Sequence, residues 1–172
     1  MSRFVQITDF EAGKLQISTT CYTDGTLQLC IDQTEEKTLQ DLLGCELYAL
    51  FVADWDAPIA GEFSEQRFID IYNPFCEDGN ICNIKRSEGV KSMLMNYIFF
   101  EYMRVQAFNN RTTGMNKTKS ENSERADFNE YGLDAIYNTG VLTFEAIRWY
   151  ICENSSTYPE YEGIKNDLTS WL

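Results

Sequence analysis

The sequence contains no histidine. That absence removes the commonest general base at neutral pH, every Ser-His or Cys-His nucleophile pair, and most zinc and non-haem iron sites. Neither G-x-G-x-x-G nor G-x-x-x-x-G-K-[ST] occurs, and the ten glycines are scattered. The phosphate-cradling loops of dinucleotide and P-loop enzymes are therefore excluded. No C-x-x-C pair is present among the six cysteines, and only Cys76 and Cys82 come near each other, which argues against a four-cysteine zinc site. The longest uncharged apolar run, Ser92 to Phe100, is far shorter than the ~20 residues of a membrane-spanning helix. Asp9 and Glu11 stand where a secretory leader would need its apolar region. The expectation is a cytosolic setting, with the cysteines reduced and mostly buried as small apolar side chains.

Bases are also scarce. Against 27 Asp and Glu there are 14 Lys and Arg, a net charge of −13. A protein with that field does not grip nucleic acid by overall electrostatics, although it can sit beside DNA without binding it. The acid excess is uneven: residues 1–66 hold 12 acids and 3 bases, residues 67–125 hold 7 and 9, and residues 126–172 hold 8 and 2. Arg104, Arg111, Lys117, Lys119 and Arg125 form the most basic stretch, opposed there only by Glu121 and Glu124. With 44% apolar and 14% aromatic residues over 172 positions, one domain with a sizeable core is expected.

The hydrophobic pattern is helical for most of the length. Leu27, Leu29 and Ile31 alternate as in a strand after a Thr-Asp-Gly turn. Over a longer window, Leu27, Cys30, Ile31, Thr34, Thr38, Leu42 and Cys45 follow helical spacing, and the longer pattern prevails. It predicts a helix from about 25 to 43, broken at Gly44 and continuing to about 55. FSEQRFIDIY is a short helix with Ser64 as cap, stopped at Asn73-Pro74; CEDGNICNIKRS is a surface loop. From Ser87 a helix apolar on nearly every side runs through Phe108 and forms the centre of the core. A last long helix is expected from about Ser123 to Glu153, bent at Gly132 and Gly140. One of its faces carries Phe128, Tyr131, Ala135, Leu142, Ala146 and Trp149, and a second carries Leu133, Tyr137, Val141, Phe144, Arg148 and Ile151. KLQIST reads equally as a short edge strand or as part of an extended arm.

The fold class is thus all-α: a helical bundle with a projecting loop or hairpin between its two longest helices, and extended termini. Residues 1–153 make one domain, with a possible arm at 1–22 and a projecting basic loop at 110–122; residues 154–172 make a C-terminal arm ending in apolar Trp171 and Leu172. The strongest catalytic candidate is the three-residue spacing of Glu121, Glu124, Asp127 and Glu130, which places carboxylates near one helix face as magnesium-dependent nucleotide hydrolases require. Glu62 and Glu65 offer the only similar spacing as a partner pair, and they straddle a helix start. Acids attracted to the positive end of a helix dipole explain the row more simply. No catalytic residue, metal site or cofactor is expected.

Several segments, in order, carry a resemblance. LQLCIDQTEEKTLQDLLGCELYALFVADW, with Leu42, Leu43, Gly44, Leu47 and Tyr48, resembles the opening helical unit of tailed-bacteriophage head–tail connector (adaptor) proteins, most similar to those of crAss-like and other Bacteroides phages. SEGVKSMLMNYIFFEYMR, with Gly89, Val90 and Lys91, is similar to that family's Gly-Val/Ile-Lys helix. NNRTTGMNKTKSENSE, with Thr113, Gly114, Asn122 and Ser123, resembles its connecting loop, and YNTGVLTFEAIRWYI its closing helix. The similarity covers about residues 14–153. It implies a structural virion protein at the head–tail interface, present in the host cytoplasm during assembly. It also implies a homo-oligomeric ring, commonly a dodecamer, contacting the portal protein and adjacent adaptor or tail proteins, with double-stranded DNA passing through the lumen without sequence-specific binding. Arg111, Thr113, Gly114, Lys117, Lys119, Trp171 and Leu172 are then the expected subunit or portal contacts. The alternative is an acidic DNA-mimic inhibitor protein of a phage, which would need carboxylates arrayed on one exposed face.

Overall fold

In the computed structural model, residues 4–17, 24–56, 61–79, 83–107, 109–111, 114–116 and 132–163 are described. They are mostly helical. A 3-10 turn at Ile7–Phe10 is followed by α1 (Asp24–Asp56), α2 (Gln66–Tyr72), β1 (Phe75–Gly79), β2 (Asn83–Ser87), α3 (Val90–Ala107), β3 (Asn109–Arg111), β4 (Gly114–Asn116) and α4 (Leu133–Glu153). The strands form two separate antiparallel hairpins, β1–β2 and β3–β4. Among the described residues no helix is long and apolar enough to cross a membrane.

The expected break at Gly44 is present. Its φ of 74° and ψ of 170° lie outside any helix, so α1 is two helices meeting at a corner. Only glycine reaches that backbone region without strain, because a Cβ would crowd the neighbouring carbonyls. Leu39, Leu42 and Leu43 before the corner and Leu47 and Phe51 after it are all fully buried. The corner thus lets two helical stripes of different direction face one core.

α3 occupies the centre, as its all-round apolarity predicts. It packs against α1 on one side and α4 on the other, burying Val90, Met93, Leu94, Ile98 and Tyr102. It begins at Val90 rather than at Ser87, because Gly89 has φ 86°. A Cβ there would sit 2.5 Å from the Tyr72 carbonyl oxygen, so the chain must be glycine to pass that close to the end of α2. The Ser87 Oγ accepts the Gly89 N–H at 3.0 Å and closes the turn.

Three expectations are corrected. The stretch read as a surface loop is the β1–β2 hairpin, in register from Phe75↔Ser87 to Gly79↔Asn83, and α4 packs on β2. Its charged residues hid a two-residue period, in which Phe75, Glu77, Lys85 and Ser87 are more buried than Cys76 and Arg86 between them. The last helix begins at Leu133, because Gly132 has the left-handed backbone φ 63°, ψ 24° at its N-cap; residues 123–131 lie outside the described residues. Gly140 does not mark a bend but a close approach, with a Cβ position 3.4 Å from the Tyr97 ring. Of the two apolar faces read on α4, one expected to pack inside the subunit and one outside it, the second is buried at Leu133, Phe144 and Ile151, while on the first Leu142 is 69% exposed and Ala146 is buried.

The N-terminal segment, expected as an arm, is instead part of the core through Phe4, Val5, Phe10, Leu15 and Ile17. The buried Glu35 carboxylate of α1 accepts the backbone N–H groups of Phe4 and Val5 at 3.2 and 3.1 Å. Lys91 of α3 pairs with Asp9 at 2.8 Å. Residues 154–163 of the expected C-terminal arm also fold back. Tyr158 is buried and donates its hydroxyl to the Arg67 carbonyl at 2.7 Å. Arg67 in turn donates to the Thr157 carbonyl at 3.3 Å and to Glu160 at 2.9 Å. Burial raises the Tyr158 hydroxyl well above the ordinary tyrosine range, and the charges of Tyr150 and Asp70 push it the same way.

Candidate interaction surface

Helices α3 and α4 run antiparallel. Tyr137 of α4 packs on Tyr97 and Phe100 of α3 at ring separations of 5.5 and 4.8 Å, and Tyr150, farther along α4, packs on Phe75 at 5.0 Å. This arrangement gives the domain two unlike ends, separated by the length of α3, about 27 Å for its 18 residues.

One end holds the C-terminus of α3, the β3–β4 hairpin and the start of α4. The hairpin registers Asn109↔Asn116, Asn110↔Met115 and Arg111↔Gly114. Two expected contact residues, Arg111 and Gly114, therefore face each other across its tip. Thr113, Lys117, Lys119, Trp171 and Leu172 lie outside the described residues. The exposed part of α3 leading to the hairpin carries Val105, 57% exposed, and Arg104, which pairs with Glu101 at 2.6 Å.

The other end is built from rings. Phe4, Phe51, Trp55, Phe63, Phe68 and Tyr72, drawn from the N-terminal segment, α1, the 61–65 loop and α2, make one aromatic cluster. Its centroid separations include 4.8 Å for Phe4–Trp55 and for Trp55–Phe63, 4.6 Å for Phe51–Phe63 and 5.1 Å for Phe63–Tyr72. Tilted and edge-to-face pairs at such distances each contribute about 0.5–1.5 kcal/mol beyond simple burial. The outer wall of the cluster opens into a cleft of about 370 Å³ lined by Trp55, Glu62, Phe63, Ile69, Tyr72 and Asn73, together with Gly61. Burial raises the Tyr72 hydroxyl, and the negative charges of Asp9 and Glu35 push it the same way.

Asp54 fixes the rim of this cleft. Its carboxylate accepts the backbone N–H groups of Ser64 and Glu65 at 3.0 Å each, and the Ser64 hydroxyl as well. Ser64 is therefore not the cap of α2: Glu65 holds the cap position, and Asp54 reaches across from α1 to satisfy the donors there. Partial burial alone would raise the Asp54 carboxyl. The bonds from Glu65 and Ser64, and the Arg67 charge, outweigh it and hold the group below its ordinary range. Aromatic density between residues 51 and 75 was the sequence signal for this end. It went unread because its rings belong to four different segments.

The magnesium reading finds little here. Glu121, Glu124, Asp127 and Glu130 lie outside the described residues, and Glu65 is held by Arg67 at 2.6 Å. Among the described residues no cluster of three or more metal-ligating side chains occurs. The cysteines depart from expectation: Cys45, Cys76 and Cys152 are exposed, and Cys30 is half-buried with its thiol raised by that burial. No protein-family model, curated protein or solved structure matches the chain.

Proposed function

We propose that this protein is a structural virion subunit, a head–tail connector that joins with copies of itself into a ring between portal and tail and lines the path of the genome. The observation that carries the reading is the ordered set of helical motifs over residues 14–153, with the Leu42-Leu43-Gly44 corner first and the Gly89-Val90-Lys91 helix start after it. Both glycines in those motifs have backbone angles that other residues adopt only under strain, at φ 74° and 86°, which gives the motifs a geometric reason. The finer architecture belongs to this proposal too: a helical bundle whose β3–β4 hairpin projects from the junction of α3 and α4 toward a neighbour.

The charge supports the same reading. A conduit wall poor in Lys and Arg does not condense onto phosphates, so DNA slides past it, and a net charge of −13 suits such a wall. Two unlike ends on one subunit are what a heterologous ring interface uses. The subunit has no catalytic role in this proposal. Purified protein, alone and mixed with its portal protein, should form rings visible by negative-stain electron microscopy and countable by native mass spectrometry, with twelve copies the expectation. A strictly monomeric chain that ignores the portal refutes it.

A further inference from the structure

The cleft beside the aromatic cluster has walls fixed from several sides. Gly61 donates its N–H to the Trp55 carbonyl at 3.1 Å, and the Asp54 carboxylate accepts the Ser64 and Glu65 N–H groups at 3.0 Å each. Residues 61–64, which bring Glu62 and Phe63 to the lining, are thus tied to α1 at both ends. The Trp55–Phe63, Trp55–Tyr72 and Phe63–Tyr72 ring pairs stand at 4.8, 5.3 and 5.1 Å. Rings that pack on one another form a wall that is set before anything enters, so a ligand meets it without the cost of ordering it.

The charge around the cleft has one sign. Residues 54–73 contain five acids and a single base, Arg67, whose guanidinium is committed to Glu65 at 2.6 Å and Glu160 at 2.9 Å. Asp54 is taken up by the backbone at 64–65, and Asp70 by Gln66 at 2.6 Å. Glu62 makes no hydrogen bond or ion pair among the described residues, and it is exposed on the lining. The fold itself shows what rings and carboxylates together hold. The Arg67 guanidinium lies 4.6 Å from the centre of the Phe68 ring while its N–H groups reach Glu65 and Glu160.

From this we infer that the cleft is a docking site for an arginine side chain of a partner protein. The guanidinium lies against the ring wall and pairs with Glu62, and the aliphatic stem runs over Ile69. The Asn73 side chain, also on the lining, offers a carboxamide oxygen to a further N–H. A guanidinium suits this mixture better than an ammonium, because it is planar, less strongly hydrated and able to stack and donate at once. The inference does not depend on ring formation, so the connector reading stands or falls on its own experiment.

Titration of the isotope-labelled full chain with N-acetyl-arginine amide, followed by two-dimensional NMR, tests it. Physiological salt screens the general field of a chain of net charge −13, leaving contacts at short range. Saturable shifts should fall on the Trp55 indole N–H and on the backbone amides of residues 61–65 and 72–73. N-acetyl-citrulline amide, which has nearly the same shape without the charge, should bind about tenfold more weakly, since it forfeits both the cation–ring and the ion-pair attraction. N-acetyl-lysine amide should also bind more weakly than the arginine probe. Glu62→Gln removes no bond of the fold; it should weaken the arginine probe about fivefold and leave the citrulline probe unchanged. Equal binding of arginine and citrulline, lysine binding as tightly as arginine, shifts spread over the acidic surface away from the cleft, or an unaltered arginine titration in Glu62→Gln overturns the inference.

Discussion

Replacing Gly44 with alanine sets two effects of comparable size against each other. If α1 were one continuous helix, Ala would be favoured over Gly by about 1 kcal/mol, and the variant would be more stable and more helical. At φ 74° and ψ 170° the balance reverses. A non-glycine residue held in that region is strained by about 1–3 kcal/mol, and the reduced freedom of the unfolded chain returns only about 0.4–1 kcal/mol. Beyond the adjoining residues and the local helix backbone, no atom lies within 4 Å of the position a Cβ would take, so the loss is local backbone strain without a tertiary clash. The net expectation is a destabilisation of about 1–2 kcal/mol, read as a fall in Tm of about 2–8 °C for a domain of this size. Gly25, in the first turn of the same helix and equally free of neighbours, is the internal control: Gly25→Ala should be neutral or stabilising. Thermal unfolding followed by far-UV circular dichroism reads both. A Gly44→Ala protein with unchanged or raised Tm and greater helicity would refute the corner and with it the route by which Leu43 and Leu47 share a core.

Other substitutions probe the remaining joints. Glu35→Ala leaves the Phe4 and Val5 N–H groups without their buried acceptor and should lose about 2–4 kcal/mol in urea unfolding, whereas Glu35→Gln keeps an oxygen there and should lose much less; equal losses would sink the assignment. Gly89→Ala should be worse than Gly44→Ala, because its Cβ meets the Tyr72 carbonyl oxygen at 2.5 Å in addition to the strain of φ 86°; comparable losses would argue against that close approach. Asp54→Ala removes the cap of α2 and should lose about 1 kcal/mol at neutral pH. Since the folded Asp54 carboxyl is held below its ordinary range, its contribution is complete above that range and disappears as pH falls through the lowered folded value, so wild type and variant should converge in acid. A gap between them that is constant from pH 7 into strong acid contradicts the cap.

What was legible in the sequence was what depends on neighbours along the chain. The α1 corner could be read because a glycine interrupts a long helical period, and α3 could be read as central because its apolar residues leave no polar face. What failed to show depended on partners far away in sequence. The N-terminal segment looked like an arm because its anchor, Glu35, is 30 and 31 residues from the N–H groups it holds. Ser64 looked like a cap because serine usually is one, but Asp54, ten residues earlier, offered a charged acceptor to the same turn. Tyr158 looked like part of a tail because nothing local shows that Arg67 waits for it across 91 residues. The β1–β2 hairpin is the exception, since its two-residue period is a local signal, overridden by the weight given to the charges within it.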